Sequence, residues 1–134
     1  MTVIVTDSGF QTDNWTDGFS ILNEAANDML ALDLAPDTDP FSVPLSAEIS
    51  MIRIQFPSFA DGRGFTIARQ LRLLGYKGRL RAAGHVLADQ YAMARRSGFD
   101  EVEISDDLAN RQPQDQWLAR ADWQDNDYQS RLRG

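Results

Sequence analysis

The chain has 134 residues, 43% of them hydrophobic and 25% charged, with no cysteine and a formal net charge of −7. That length suits one domain with a real core and excludes a complete eight-fold barrel, which takes about 200 residues or more. The missing cysteines exclude disulfides, thiolate nucleophiles and cysteine-held zinc or iron–sulfur clusters, and the acidic balance argues against nucleic acid as a partner.

In chain order, "MTVIVTDSGF" puts no basic segment ahead of its apolar residues, so no signal peptide is expected. No apolar run approaches the roughly 18 residues of a membrane span, and the cytoplasm is the expected compartment. Residues 6–19 are polar and turn-rich, and residues 1–19 read as a loosely ordered arm ahead of a single domain over 20–134. Ser20 is an N-cap candidate for a short helix, followed by a strand around Leu30–Leu34. "APDTDPFSVP" reads as a connector with room for one helical turn.

Beyond it the pattern is regular. Residues 49–56 alternate, with Ile52, Ile54 and Phe56 on one face and Arg53 and Gln55 on the other, as a strand requires. Residues 64–74 place Ala68, Leu71 and Leu74 at helical spacing, and Gly75 supplies a C′ cap. "GRLRAAG" is a second strand, residues 86–97 a second helix closed by Gly98, and "FDEVEIS" a third strand. A last helix is expected through "QPQDQWLARADW", with Pro113 in an early position and Trp117, Trp123 and Tyr128 sealing a core. Strands alternating with helices at short intervals predict an α/β fold, a small parallel, half-barrel-like sheet of βαβ units.

These strands carry one apolar and one charged face, whereas parallel strands covered on both sides usually read apolar throughout. The charged face would hold Arg53, Arg79, Arg81, Glu101 and Glu103. Cross-strand ion pairs, a partner subunit or the N-terminal arm could each satisfy it. Residues 62–100 hold eight bases and two acids, a +6 segment in an acidic chain. It either meets an anionic ligand or acidic partner, or is neutralised by the chain's own acidic ends.

Ligands of parallel α/β proteins gather where strands hand over to helices. "SFADGRG", "RAAGHVLAD" and "ISDDL" are three such junctions, and they would bring Asp61, Arg63, His85, Asp89 and Asp106 to one rim. Gly62, Gly64 and Gly84 would allow close backbone approach, with Arg63 and Arg81 as cationic contacts for an oxyanion near helix N-termini. Asp61 and Asp89 are the candidates for proton transfer, and His85, four residues before Asp89, could pair with it as an acid–base unit. Each has a plainer role: Asp61 as a helix cap, Arg63 as its ion-pair partner, His85 as a local hydrogen-bonding group. With one histidine and no cysteine no metal centre is expected, and no phosphate-binding loop, dinucleotide fingerprint or nucleophile elbow points to a cofactor.

The blocks "FPSFADGRGFTIARQLR", "GYKGRLRAAGHVLADQ" and "RRSGFDEVEI", in that order, resemble a small bacterial family of unknown function. Its members carry the label probable oxidoreductase involved in sulfite reduction, from their association with genes for sulfite reductase and for adenylyl-sulfate or phosphoadenylyl-sulfate reductase. The resemblance spans roughly residues 30–104, with a faint extension to "YQ" at 128–129. Phe59, Asp61, Gly62, Arg63, Arg69, Arg72, Gly75, Tyr76, Arg81, Gly84, Asp89, Gln90 and Gly98 are among the residues at its characteristic positions. This chain departs from the pattern at His85, where the family usually has aspartate, and at Ser97, where it often has cysteine.

The resemblance implies a place in assimilatory sulfate reduction, with sulfite reductase or adenylyl-sulfate reductase as partners. Three readings follow: an accessory protein binding a pathway enzyme or anionic intermediate at the rim, a small enzyme acting on a sulfur oxyanion or nucleotide-linked substrate, or a homodimer built on the charged face. Convergence of Asp61, Arg63, Arg81 and Asp89 into one pocket would favour the enzyme, and their dispersal or use in internal ion pairs the accessory role.

Overall fold

Period-two alternation dominates the architecture, because it gives every central strand one face that must be buried. A computed structural model of the chain describes residues 2–15, 18–21, 31–43, 45 and 49–123. The strands are β1 (Thr2–Thr6), β2 (Gly9–Gln11), β3 (Ser20–Ile21), β4 (Ala31–Leu34), β5 (Met51–Phe56), β6 (Arg79–Gly84) and β7 (Glu101–Ser105). The helices are α1 (Arg63–Leu73), α2 (Tyr91–Ser97), α3 (Asp106–Arg111) and α4 (Gln114–Leu118), with single 3₁₀ turns at Pro40–Ser42 and Ala88–Gln90. The strands form one open sheet in the order β2-β1-β7-β6-β5-β4-β3. From β3 to β7 all pairing is parallel, so the chain is an α/β protein.

The expected βαβ units are present, and three details differ. Residues 1–19 were expected as a loose arm, but Thr2–Thr6 and Gly9–Gln11 form a hairpin that extends the sheet. Their pairing is antiparallel, so the sheet is mixed. The deciding partner, β7, lies about a hundred residues away and leaves no local trace. Ser20, expected as a helix N-cap, is instead in β3 opposite Leu32, and the rest of the helix expected after it, like the aromatic Tyr128, lies outside the described residues. The expected last helix is present in shortened form as α4, and an additional helix precedes it: α3 starts at Asp106, its N-cap Ser105 accepting a hydrogen bond from the Leu108 N–H, and it stops before Pro113. A proline has no N–H to donate and forces the preceding residue away from helical geometry, and Gln112 sits at φ −126°, ψ 81°.

The core lies on one face of the sheet, where Leu32, Ile52, Ile54, Phe56, Leu80, Ala82 and Val102 meet Phe65, Ala68 and Leu71 of α1 and Tyr91 and Ala94 of α2. Phe56, Phe65 and Phe99 pack with ring centroids 5.0, 5.9 and 6.4 Å apart. A Cβ at Gly64 would stand 2.5 Å from the Phe56 ring, so the first turn of α1 reaches the sheet only because that residue is glycine. No helix among the described residues is long and apolar enough to cross a membrane.

The other face is an ionic lattice under a cover. Arg53 binds Asp33 at 2.9 Å and Glu103 at 3.3 Å, Arg81 binds Glu103 at 2.8 Å and Glu101 at 2.6 Å, and Arg79 binds Glu101 at 2.7 Å. Asp13, Trp15 and Phe19, which precede β3, lie over it. Asp13 accepts from both terminal nitrogens of Arg81, at 3.1 and 3.2 Å, Phe19 lies 3.9 Å beneath the Arg53 guanidinium, and Trp15 stacks 6.2 Å from Phe19. The Arg81 side chain is 0% exposed. Of the three ways the charged face could be satisfied, cross-strand pairing and the N-terminal segment are both used.

Removing a single member of such a buried network strands the others, which costs about 3–5 kcal/mol. Arg81→Met should lower unfolding stability by that amount in urea, and Arg81→Lys by less, since it keeps the charge but loses the fork. A loss below about 1 kcal/mol for Arg81→Met would contradict a buried lattice.

Burial alone would raise the Asp13 carboxyl, but hydrogen bonds from Arg81 and from the Trp15 N–H outweigh it and hold the group below 3.8. A carboxylate depressed in the folded state stabilises the docked cover above its unfolded value and loses that contribution as pH falls through the folded one. The cover should therefore release below about pH 4. The indole resonance of Trp15, whose Nε1–H donates to the Gly18 carbonyl at 2.8 Å, should report it, and Asp13→Asn should abolish the transition.

Candidate functional site

Because β5, β6 and β7 are parallel neighbours, their carboxyl ends open on one border. The three junctions therefore sit side by side, as expected. What each contributes is decided locally.

At the first junction, Asp61 Oδ1 accepts from the Arg63 N–H at 3.1 Å and from Nε at 3.0 Å, while Oδ2 accepts from Nη2 at 2.7 Å. These bonds, the side-chain ones foremost, hold the Asp61 carboxyl below its usual range and raise the Arg63 guanidinium above its own. Asp61 and Arg63 are thus each other's partner at the start of α1, the plainer of their two expected roles. Gly62 is the N-cap at φ −91°, a conformation open to any residue, and Gly64 serves packing.

At the second junction Gly84 has φ +116°, and a Cβ there would stand 2.6 Å from the Phe56 carbonyl oxygen. That carbonyl accepts from the His85 N–H at 2.9 Å and lies 3.3 Å from its Nδ1. The imidazole stands edge-on to Phe59, centroids 5.2 Å apart. Its expected pairing with Asp89 is not made: Asp89 accepts from Arg120 at 2.9 Å instead. An i, i+4 relation needs continuous helix, and here only the last seven residues of the expected segment, from Tyr91, are α-helical. Leu87 is extended, and its N–H is capped by Gln90 Oε1 at 2.8 Å.

Arg81 is corrected outright. It lies three residues before the end of β6, about 10 Å down the strand at 3.3 Å per residue, and it points into the lattice rather than the rim.

The third junction completes a pocket of about 270 Å³ lined by Phe59, Gly84, His85, Ser105, Asp107, Leu108 and Arg111. Arg111 and Asp107 pair at 3.4 Å, one turn apart on α3 and both solvent-facing. The pocket offers an imidazole, a hydroxyl and the Asp107–Arg111 ion pair against one aromatic wall, a set that can receive a small hydrogen-bonding group, or an anion that displaces Asp107 from Arg111. Sequence reasoning brought only His85 and Gly84 to it. Ser105, Asp107 and Arg111 were legible only as a strand end and an i, i+4 pair, once α3 was known to begin there. No cluster of metal-ligating side chains occurs among the described residues.

The opposite border is held by Arg72. Its guanidinium donates to the carbonyls of Gly98 (2.9 and 3.0 Å), Tyr76 (3.0 Å) and Gly78 (2.8 Å) and to Asp100 (3.0 Å). Burial pushes the Tyr76 phenol up, and its hydroxyl donates to the Arg79 carbonyl at 3.1 Å.

A family model described as "Bacterial protein of unknown function (DUF934)" matches residues 31–134. The chain belongs to this family. No curated protein and no solved structure matches it. The DUF934 match takes in β4 through α4, hence all three junctions and the pocket, whereas the hairpin and the Asp13–Phe19 cover precede it.

Gly84→Ala should cost at least about 1–3 kcal/mol of stability, the penalty of a left-handed backbone, because its Cβ also meets a carbonyl. Gly62→Ala should cost less than about 1 kcal/mol. Thermal unfolding of the two variants checks the contrast, and equal effects would contradict the turn geometry.

Proposed function

We propose that the protein is a non-catalytic accessory component of sulfate and sulfite reduction that binds a reductase of that pathway at the strand-end rim. The pathway setting comes from the three sequence blocks at the junctions. The accessory role is supported by one observation: Asp61, Arg63, Arg81 and Asp89 do not converge, and each is engaged in an ion pair within the chain. A general acid–base catalyst needs its proton carrier within reach of a substrate, and Asp61 and Asp89 are instead turned to Arg63 and Arg120 and do not line the pocket beside His85. The pocket beside His85 and Arg111 would receive an anionic or hydrogen-bonding side chain of the reductase, or an oxyanion it carries.

Growth separates accessory from enzyme. A deletion strain should require cysteine when sulfate is the sulfur source, and Asp61→Asn or Asp89→Asn, neither of which lines the pocket, should restore growth to within about twofold. Loss of a general acid or base lowers turnover about 10²–10⁴-fold, so failure of both variants to complement, with normal protein levels, would favour the enzyme. A deletion strain with no cysteine requirement would remove the pathway assignment.

A further inference from the structure

Ion pairing accounts for much of the +6 segment and leaves two of the three remaining bases beside one cleft. Arg63, Arg72, Arg79, Arg81 and Arg95 each meet a carboxylate. Among the described residues Arg69, Lys77 and Arg96 meet none. Two of these three, Arg69 on α1 and Arg96 on α2, flank one cleft of about 330 Å³, lined also by Arg72, Leu73, Ser97 and Gly98. Among the described residues Arg96 donates one side-chain hydrogen bond, to the Trp123 carbonyl at 3.0 Å, and the floor is rigid, because Arg72 Nε and Nη2 both donate to the Gly98 carbonyl. Leu73 is 74% exposed and Met93, one turn before Arg96 on α2, is 53% exposed.

We propose that this cleft is a docking site for a short acidic segment of a partner protein, one that alternates carboxylates with large apolar side chains. The inference rests on the accessory reading and adds to the rim a second contact face with a defined partner chemistry. Guanidinium forks accept carboxylates bidentately, and two of them across a cleft fix the direction of a bound segment. The exposed leucine and methionine supply the apolar contact that a free inorganic anion could not use. Nucleic acid would offer anions too, but the net charge of −7 repels a polyanion beyond the reach of two arginines. A peptide short enough to contact only the cleft escapes most of that repulsion.

The test is a titration of the isotopically labelled full chain with a short synthetic peptide of alternating glutamates and leucines, followed by amide resonances. Shifts should concentrate on α1 around Arg69–Leu73 and α2 around Met93–Ser97. Affinity should fall about tenfold or more in the exposed double variant R69E/R96E, with its melting temperature unchanged. Sodium sulfate at equal ionic strength should not reproduce the shifts. Shifts spread over Lys77, Arg111 and Arg120, equal affinity for the double variant, or sulfate acting as well as peptide would each overturn the proposal. The accessory reading fails separately. If the deletion strain grows normally on sulfate while the peptide binds here, that reading falls and the cleft stands. If growth needs the protein but the cleft takes no peptide, only the cleft falls.

Discussion

Everything in this fold is arranged around a guanidinium that has been taken out of water. Arg81 occupies the centre of the sheet, where a single buried charge would be untenable and an isolated ion pair would scarcely break even. The chain resolves this by surrounding it with three carboxylates, from Glu101, Glu103 and Asp13, and by letting Arg53 and Arg79 share the acids from either side. One consequence is register. Shifting β7 by one residue against β6 would send Glu101 and Glu103 to the helix side and Val102 into the lattice, so the charges specify strand alignment as firmly as the apolar core does.

The two ends of the sheet have different work. At the amino ends of β6 and β7, Arg72 spends its donors on loop carbonyls, closing the turns around Gly78 and Gly98. At the carboxyl ends the loops carry the pocket and the exposed aromatic Phe59. Many of the residues through which this chain resembles its family sit in the first, architectural class: Arg72, Gly75, Tyr76, Arg81 and Gly98 hold backbone, turns or strands in place. Arg69 has no such duty among the described residues, and it borders the cleft between α1 and α2.

Periodicity carried most of the fold in advance. The alternation of Ile52, Ile54 and Phe56, of Leu80 and Ala82, and of Val102 and Ile104 identified both the strands and the buried face, because each strand has one face in the core. β1 and β2 were missed because a strand at the margin is defined by its neighbour, and that neighbour is remote in the chain. The same limit governed the site. Which residues lie near a strand end was readable, but the distance along the strand was not, so Arg81 was expected on a rim that it stands well below. His85 and Asp89 failed as a pair for a related reason: their spacing assumed a helix that begins only beyond them.

The antiparallel addition of β1 to β7 has a consequence for how the molecule comes to exist. β1 must wait for Glu101–Ser105, about a hundred residues later, and at about 5–20 residues per second the interval is on the order of ten seconds. Until then the hairpin has an open edge and Arg81 lacks the carboxylates of Glu101 and Glu103. When β7 arrives, it pairs with a strand made about a hundred residues earlier and brings the carboxylates that neutralise Arg81 in the same step. A nascent chain stalled before that point would be sticky, hydrated at its centre and in need of a chaperone.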